Sequence, residues 1–160
     1  MATQKRKQAY SGGDVFLVPL KDGSQSVGQV LSITKRALNS CICAFFDIRL
    51  PNGVKKVEQA LKEGDLIAVQ FVTVDLLKKG YWPVIEAREV EIDIEKYIPL
   101  QDIEQKGFVG AHIEGSGIIQ EFLSAYYALR PWDTWYEPDY LDKLLVSPDK
   151  RPANVILTRR

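Results

Sequence analysis

The feature that most constrains the fold is a succession of β-forming runs with no βαβ rhythm among them. VFLVPL (15–20), KDGS (21–24) and VGQVLSI (27–33) read as a hairpin with Asp22-Gly23 at its turn. CICAFFDIRL (41–50) supplies a third strand, PNGV (51–54) a turn, and LIAVQFVTV (66–74) a fourth strand. DLLKKG (75–80) predicts a short helical turn that stops at Gly80. YWPVIEAR (81–88) predicts a fifth strand, and Pro83, which has no N–H to give a ladder, places it at a sheet edge. The expected architecture is α+β and mostly β: a strongly bent antiparallel sheet or an SH3-like small barrel, with two C-terminal helices packed against it.

The helices are expected in the last third. Ile118, Phe122, Tyr126 and Leu129 recur at near-helical spacing, and Ile119, Leu123 and Tyr127 widen the stripe. Ser116 is the expected N-cap and Pro131 the expected stop. A second, shorter helix is expected from Pro138 or Asp139, ending before Pro148, and ANVILT (153–158) is expected to return to the sheet as a short strand. A chain of 160 residues fits one domain. Residues 1–12, polar and basic, read as a flexible tail, and residues 13–160 as the single domain.

Reactive chemistry is sparse. The one histidine, His112, spells H-x-E with Glu114, but no P-C-x-x-C follows to complete a zinc site, so no metal or cofactor is expected. No G-x-S-x-G elbow supports a nucleophile. GSG (115–117) lacks the rest of a dinucleotide fingerprint, because Gln120 stands where a glycine would be needed. Cys41 and Cys43 lie two apart on a strand and are expected as reduced, buried thiols. The longest apolar runs are too short to span a bilayer, and the basic start has no apolar stretch behind it, so the expected location is the cytoplasm.

Charge is more informative than its zero sum. Residues 1–85 carry 12 basic and 7 acidic side chains (net +5), residues 86–142 carry 4 and 13 (net −9), and residues 143–160 carry 5 and 1 (net +4). Within the acidic part, EVEIDIE alternates Glu89, Glu91, Asp93 and Glu95 with Val90, Ile92 and Ile94. That period of two predicts a strand with one apolar and one acidic face. Its charges serve either to discourage edge pairing or to bind a partner. A second acidic stretch, PWDTWYEPDY (131–140), is also aromatic. Trp132, Trp135 and Tyr136 could clamp a core or anchor a partner, with Asp133, Glu137 and Asp139 around them. Trp135 and Tyr136 are the better candidates for exposure. Acids beside these aromatics would repel phosphates. A nucleic-acid-binding SH3-like barrel would instead have to use Lys35-Arg36, Lys55-Lys56 and Lys78-Lys79.

GDVFLVPLKDGSQSVGQVLSI with CAFFDIR, then LIAVQFVTVDLLKKGYWPVI, then FLSAYYALRPWDTWYEPDYLDKLL resemble the immunity protein 26 family of bacterial polymorphic toxin systems over residues 13–146. The resemblance rests on Gly13, Asp14, Phe16, Pro19, Gly23 and Gly28 at one end. At the other it rests on Trp132, Asp133, Pro138, Tyr140 and Leu144, with Ala128-Leu129 departing where a glycine would be expected. It implies a non-catalytic protein that binds and neutralises a cognate toxin. Acids at 89–95 and 133–139 would steer in a basic toxin, such as a nuclease, and Trp135 and Tyr136 would anchor it.

Overall fold

The structure is a computed structural model and describes residues 7–33 and 39–158. Six strands form one sheet: β1 (Asp14–Pro19), β2 (Gln25–Ile33), β3 (Ser40–Leu50), β4 (Leu66–Thr73), β5 (Val84–Ala87) and β6 (Ile113–Glu114). Their order is β5-β1-β2-β3-β4-β6, so the sheet is open and not closed into a barrel. Every pair is antiparallel except β4 and β6, which meet in parallel through Phe71 with Ile113 and Val72 with Glu114. That parallel pair departs from the antiparallel expectation. Register shifts at Val15/Phe16, Ser26/Val27, Val30/Ser32 and Phe45/Phe46 interrupt the ladders. Such irregularities bend a sheet and raise its twist.

The β1–β2 turn forms where the sequence places it. Gly23 has φ +88°, and its N–H donates to the Leu20 carbonyl at 3.0 Å. β5 is the edge strand that Pro83 predicts. The helical turn α1 (Asp75–Lys78) is followed by Gly80 at φ +80°.

Both sheet faces are covered, which explains why strands such as CICAFF read as continuous apolar runs rather than alternating ones. Phe16, Val18, Cys41, Cys43, Phe45 and Val72 pack on one face with Trp82, Trp132 and Phe122. Val15, Leu17, Ile42, Ala44, Phe46 and Phe71 pack on the other, beneath Val57, Leu61, Ile92 and Ile98. We call these the helix face and the strap face. Cys41 and Cys43 are free, buried thiols whose sulfurs lie 3.5 Å apart.

The helix face centres on α3 (Ser116–Tyr126), which buries Ile119, Phe122, Leu123 and Tyr126. Gly115, not Ser116, is the N-cap. Ser116 lies one step inside the helix, where its N–H donates to Thr73 Oγ1 at 2.9 Å and its hydroxyl to Asp75 Oδ1 at 2.6 Å. Burial works to raise the Asp75 carboxyl, but the bonds from Ser116 and Thr73 outweigh it and hold the group below its usual range. The helix ends before Pro131. Tyr127 is its C-cap, Ala128 adopts φ +59°, Ala128 N–H bonds the Ala125 carbonyl, and Leu129 N–H bonds the Ser124 carbonyl. This is a Schellman end with alanine in the position that glycine usually takes.

Other expectations are corrected. The second C-terminal helix is instead two 3-10 turns, Leu141–Leu144 and Pro148–Lys150, in a segment hemmed by Pro138 and Pro148. ANVILT does not rejoin the sheet; Ile156 makes one isolated parallel bridge to Pro131. EVEIDIE is not a strand. The last ladder-like bond is Arg88 N–H to the Gly13 carbonyl, and β1 begins only at Asp14, so the following chain has no strand left to pair with. It ends in a 3-10 turn, Ile94–Lys96, ahead of α2 (Leu100–Gln105). The part of the tail that is described is docked. Gln8 Nε2 donates to the carbonyls of Leu77 and Trp82, Gln8 Oε1 accepts from Val84 N–H, and Tyr10 packs on the helix-face core. Lys5 and Arg6 lie outside the described residues.

Candidate partner-binding site

The aromatic stretch after α3 divides by burial. Trp132 is fully buried against Phe122, with ring centroids 5.8 Å apart, and its indole N–H donates to Asp142 Oδ1 at 3.2 Å. Asp133 is also buried. Its carboxylate accepts from the Thr158 N–H at 2.9 Å and from the Thr158 hydroxyl at 2.8 Å. Both residues, expected among the partner-binding set, are thus packed inside the described fold rather than displayed on its surface. They tie the C-terminal segment to the chain leaving α3.

The next residues turn outward. Trp135 is half-buried, stacked on Tyr140 with centroids 5.5 Å apart, and the Arg130 guanidinium lies 5.3 Å from its ring centroid. Tyr136 is 99% exposed, more than any other large apolar or aromatic side chain among the described residues. Glu137 and Asp139 are exposed and share one cation, Lys143 Nζ, at 2.9 and 3.8 Å.

The support beneath this loop was not legible in the sequence. Glu114 on β6 is almost wholly buried, and its carboxylate accepts the Tyr140 hydroxyl at 2.7 Å while contacting His112 Nε2. Burial, then the bond to Glu114, pushes the Tyr140 hydroxyl up to about 12, so it stays a donor at neutral pH. H-x-E thus spells a structural link, with one carboxylate joining β6 to the loop. Only the spacing of His112 and Glu114 was visible in advance, and nothing in it points to Tyr140, 26 residues on. Among the described residues, no three His, Cys, Asp or Glu side chains gather in a way that could hold a metal.

The other acidic stretch lies elsewhere. Glu89, Glu91, Asp93 and Glu95 are all exposed, while Val90, Ile92 and Ile94 pack into the strap-face core. Asp93 accepts from Glu95 N–H at 3.2 Å, and Glu95 Oε1 accepts from Gln101 N–H at 2.7 Å. Trp135 and Tyr140 pack instead with the helix-face core. The two acidic stretches therefore belong to opposite faces, and no single flat interface contains both. The lysine pairs divide likewise: Lys55-Lys56 precede Val57 on the strap face, Lys78-Lys79 follow Leu77 on the helix face, and Lys35-Arg36 lie outside the described residues.

A sequence model of the family described as immunity protein 26 matches residues 11–106, more than half of the chain. The chain belongs to the immunity protein 26 family. The matched span carries β1 to β5, the acidic segment 89–95 and α2, and it includes Gly13, Phe16, Gly23 and Gly28. The C-terminal positions that resemble the family, Trp132 to Leu144, lie beyond that span. No curated protein and no solved structure matches the chain. No helix among the described residues is long and apolar enough to cross a membrane.

Proposed function

We propose that this immunity protein 26 family member binds a cognate bacterial toxin and neutralises it by covering its working surface, without catalysis of its own. The observation that carries the proposal is Tyr136, fully exposed on a loop whose two ends are fixed. Trp132 and Asp133 bury one end, and the Tyr140–Glu114 bond holds the other. An aromatic side chain presented on a rigid base loses little freedom on binding, and tyrosine is among the residues most enriched at interface hot spots. Glu137 and Asp139 beside it suit a basic partner such as a nuclease and raise the association rate more than the affinity.

The test is co-expression with the product of the adjacent gene in a sensitive bacterium, followed by co-purification. The expected result is rescue and a stable complex, weakened at least tenfold by Tyr136→Ala with unchanged thermal stability. Absence of both rescue and complex would overturn the toxin-binding proposal. A complex indifferent to Tyr136→Ala would remove this loop from it.

A further inference from the structure

The segment after β5 keeps the alternating burial of a strand but has no strand partner. Glu89, Val90, Glu91 and Ile92 alternate outward and inward, anchored by Val90 and Ile92 in the strap-face core. Arg88 fixes where the segment begins. Its N–H bonds the Gly13 carbonyl, its carbonyl accepts Gln29 Nε2 at 3.1 Å, and its guanidinium donates to the carbonyls of Val57 and Gln59. Gly13 permits that approach, because a Cβ there would lie 2.7 Å from the Arg88 carbonyl oxygen. Beyond Arg88 the bonding stops. No main-chain N–H or carbonyl from Glu89 to Ile92 bonds any described residue. Residues 89–91, up to the bend at Ile92, thus run over the core anchored by side chains, with main-chain groups that bond no described residue.

Such an edge is a template for an added strand, and the side chains specify which strand. Glu89, Glu91, Asp93 and Glu95 form no ion pair within 4.0 Å to any described cation, whereas Glu63 and Glu86 nearby are paired with Lys96 and Arg88. Like charges opposite one another in a ladder are destabilising, and opposite charges are favourable. We propose that residues 89–92 accept an extended, lysine- or arginine-bearing segment of a partner protein as an added β-strand. The main chain would supply the pairing and the carboxylates the selection. This rests on the toxin-binding proposal only for the source of the segment, a cognate toxin. The docking surface lies on the opposite face from Tyr136 and is assigned by different observations.

The experiment uses the full chain and capped eight-residue peptides of alternating lysine and threonine, at low salt. Amide hydrogen exchange at 89–92 is followed by NMR. The expected result is binding that slows exchange of alternate amides in this segment at least tenfold. A glutamate–threonine peptide should not bind, and the paired variant Glu89→Lys/Glu91→Lys should reverse that preference. Lysine peptide binding without amide protection, equal binding by an N-methylated lysine peptide, or no binding at all would each overturn the proposal. None of these outcomes depends on the adjacent gene product, so the toxin complex can fail while strand addition stands, or the reverse.

Discussion

Gly28 shows how one residue can set the packing of a whole face. It stands opposite Phe16 in the β1–β2 ladder, and the Phe16 ring lies directly across it; a Cβ there would come within 2.5 Å of that ring. Phe16 in turn stacks on Trp82 with centroids 5.3 Å apart and planes 3° from parallel, and meets Phe45 edge-on at 6.0 Å. Trp82 bonds Gln120 on α3 through its indole N–H at 2.9 Å, so the sheet reaches the helix through this stack. Gly28→Ala is expected to displace Phe16 and destabilise the protein by about 1–3 kcal/mol, the usual cost of overpacking. Urea unfolding would measure this, and an unchanged midpoint would mean that the ring moves aside freely. In the sequence Gly28 is only a glycine inside a strand run, a sign of a bulge or a close approach. Which ring makes the approach depends on the cross-strand register.

At the scale of elements, the ends proved harder to read than the bodies. The stripe from Ile118 to Tyr126 predicts α3, but the helix stops well before Pro131 because Ala128 turns into the left-handed region. An L side chain costs about 1–2 kcal/mol there. Glycine avoids that cost but gives the unfolded chain more conformational entropy to lose on folding. Ala128→Gly is therefore expected to stabilise the protein by about 0.5–1 kcal/mol, seen as a higher midpoint of thermal unfolding. A lower midpoint would show that unfolded-state entropy outweighs the relief. The segment 89–95 teaches a related lesson. Its period of two is local and survives as alternate exposure, even though Ile92 is a bend and Ile94 and Glu95 lie in a 3-10 turn. Whether that chain has a ladder is not local, and here β1 starts too late to supply one.

At the scale of the molecule, the sheet separates the two candidate contact regions: the Tyr136 loop on the helix face and residues 89–92 on the strap face. Regions with no shared partners make independent contributions to binding, within about 0.5 kcal/mol. In the complex with a cognate toxin, the losses from Tyr136→Ala and from Glu89→Lys/Glu91→Lys are therefore expected to add in a double-mutant cycle by calorimetry. A coupling well above that figure would show that the toxin joins the two faces through one rearranged contact. The sequence by itself determined the β-rich class, the hairpin at Asp22-Gly23, the edge position of β5, the body of α3 and the alternation of residues 89–95. Each of these follows from backbone preferences and side-chain periodicity within a few residues. The tertiary structure alone decided that Trp132 and Asp133 are buried while Tyr136 is exposed, that Glu114 holds Tyr140, and that the two acidic stretches face apart. Burial and pairing at those positions depend on residues tens of positions away, and residue type carries no record of which distant neighbour will cover it.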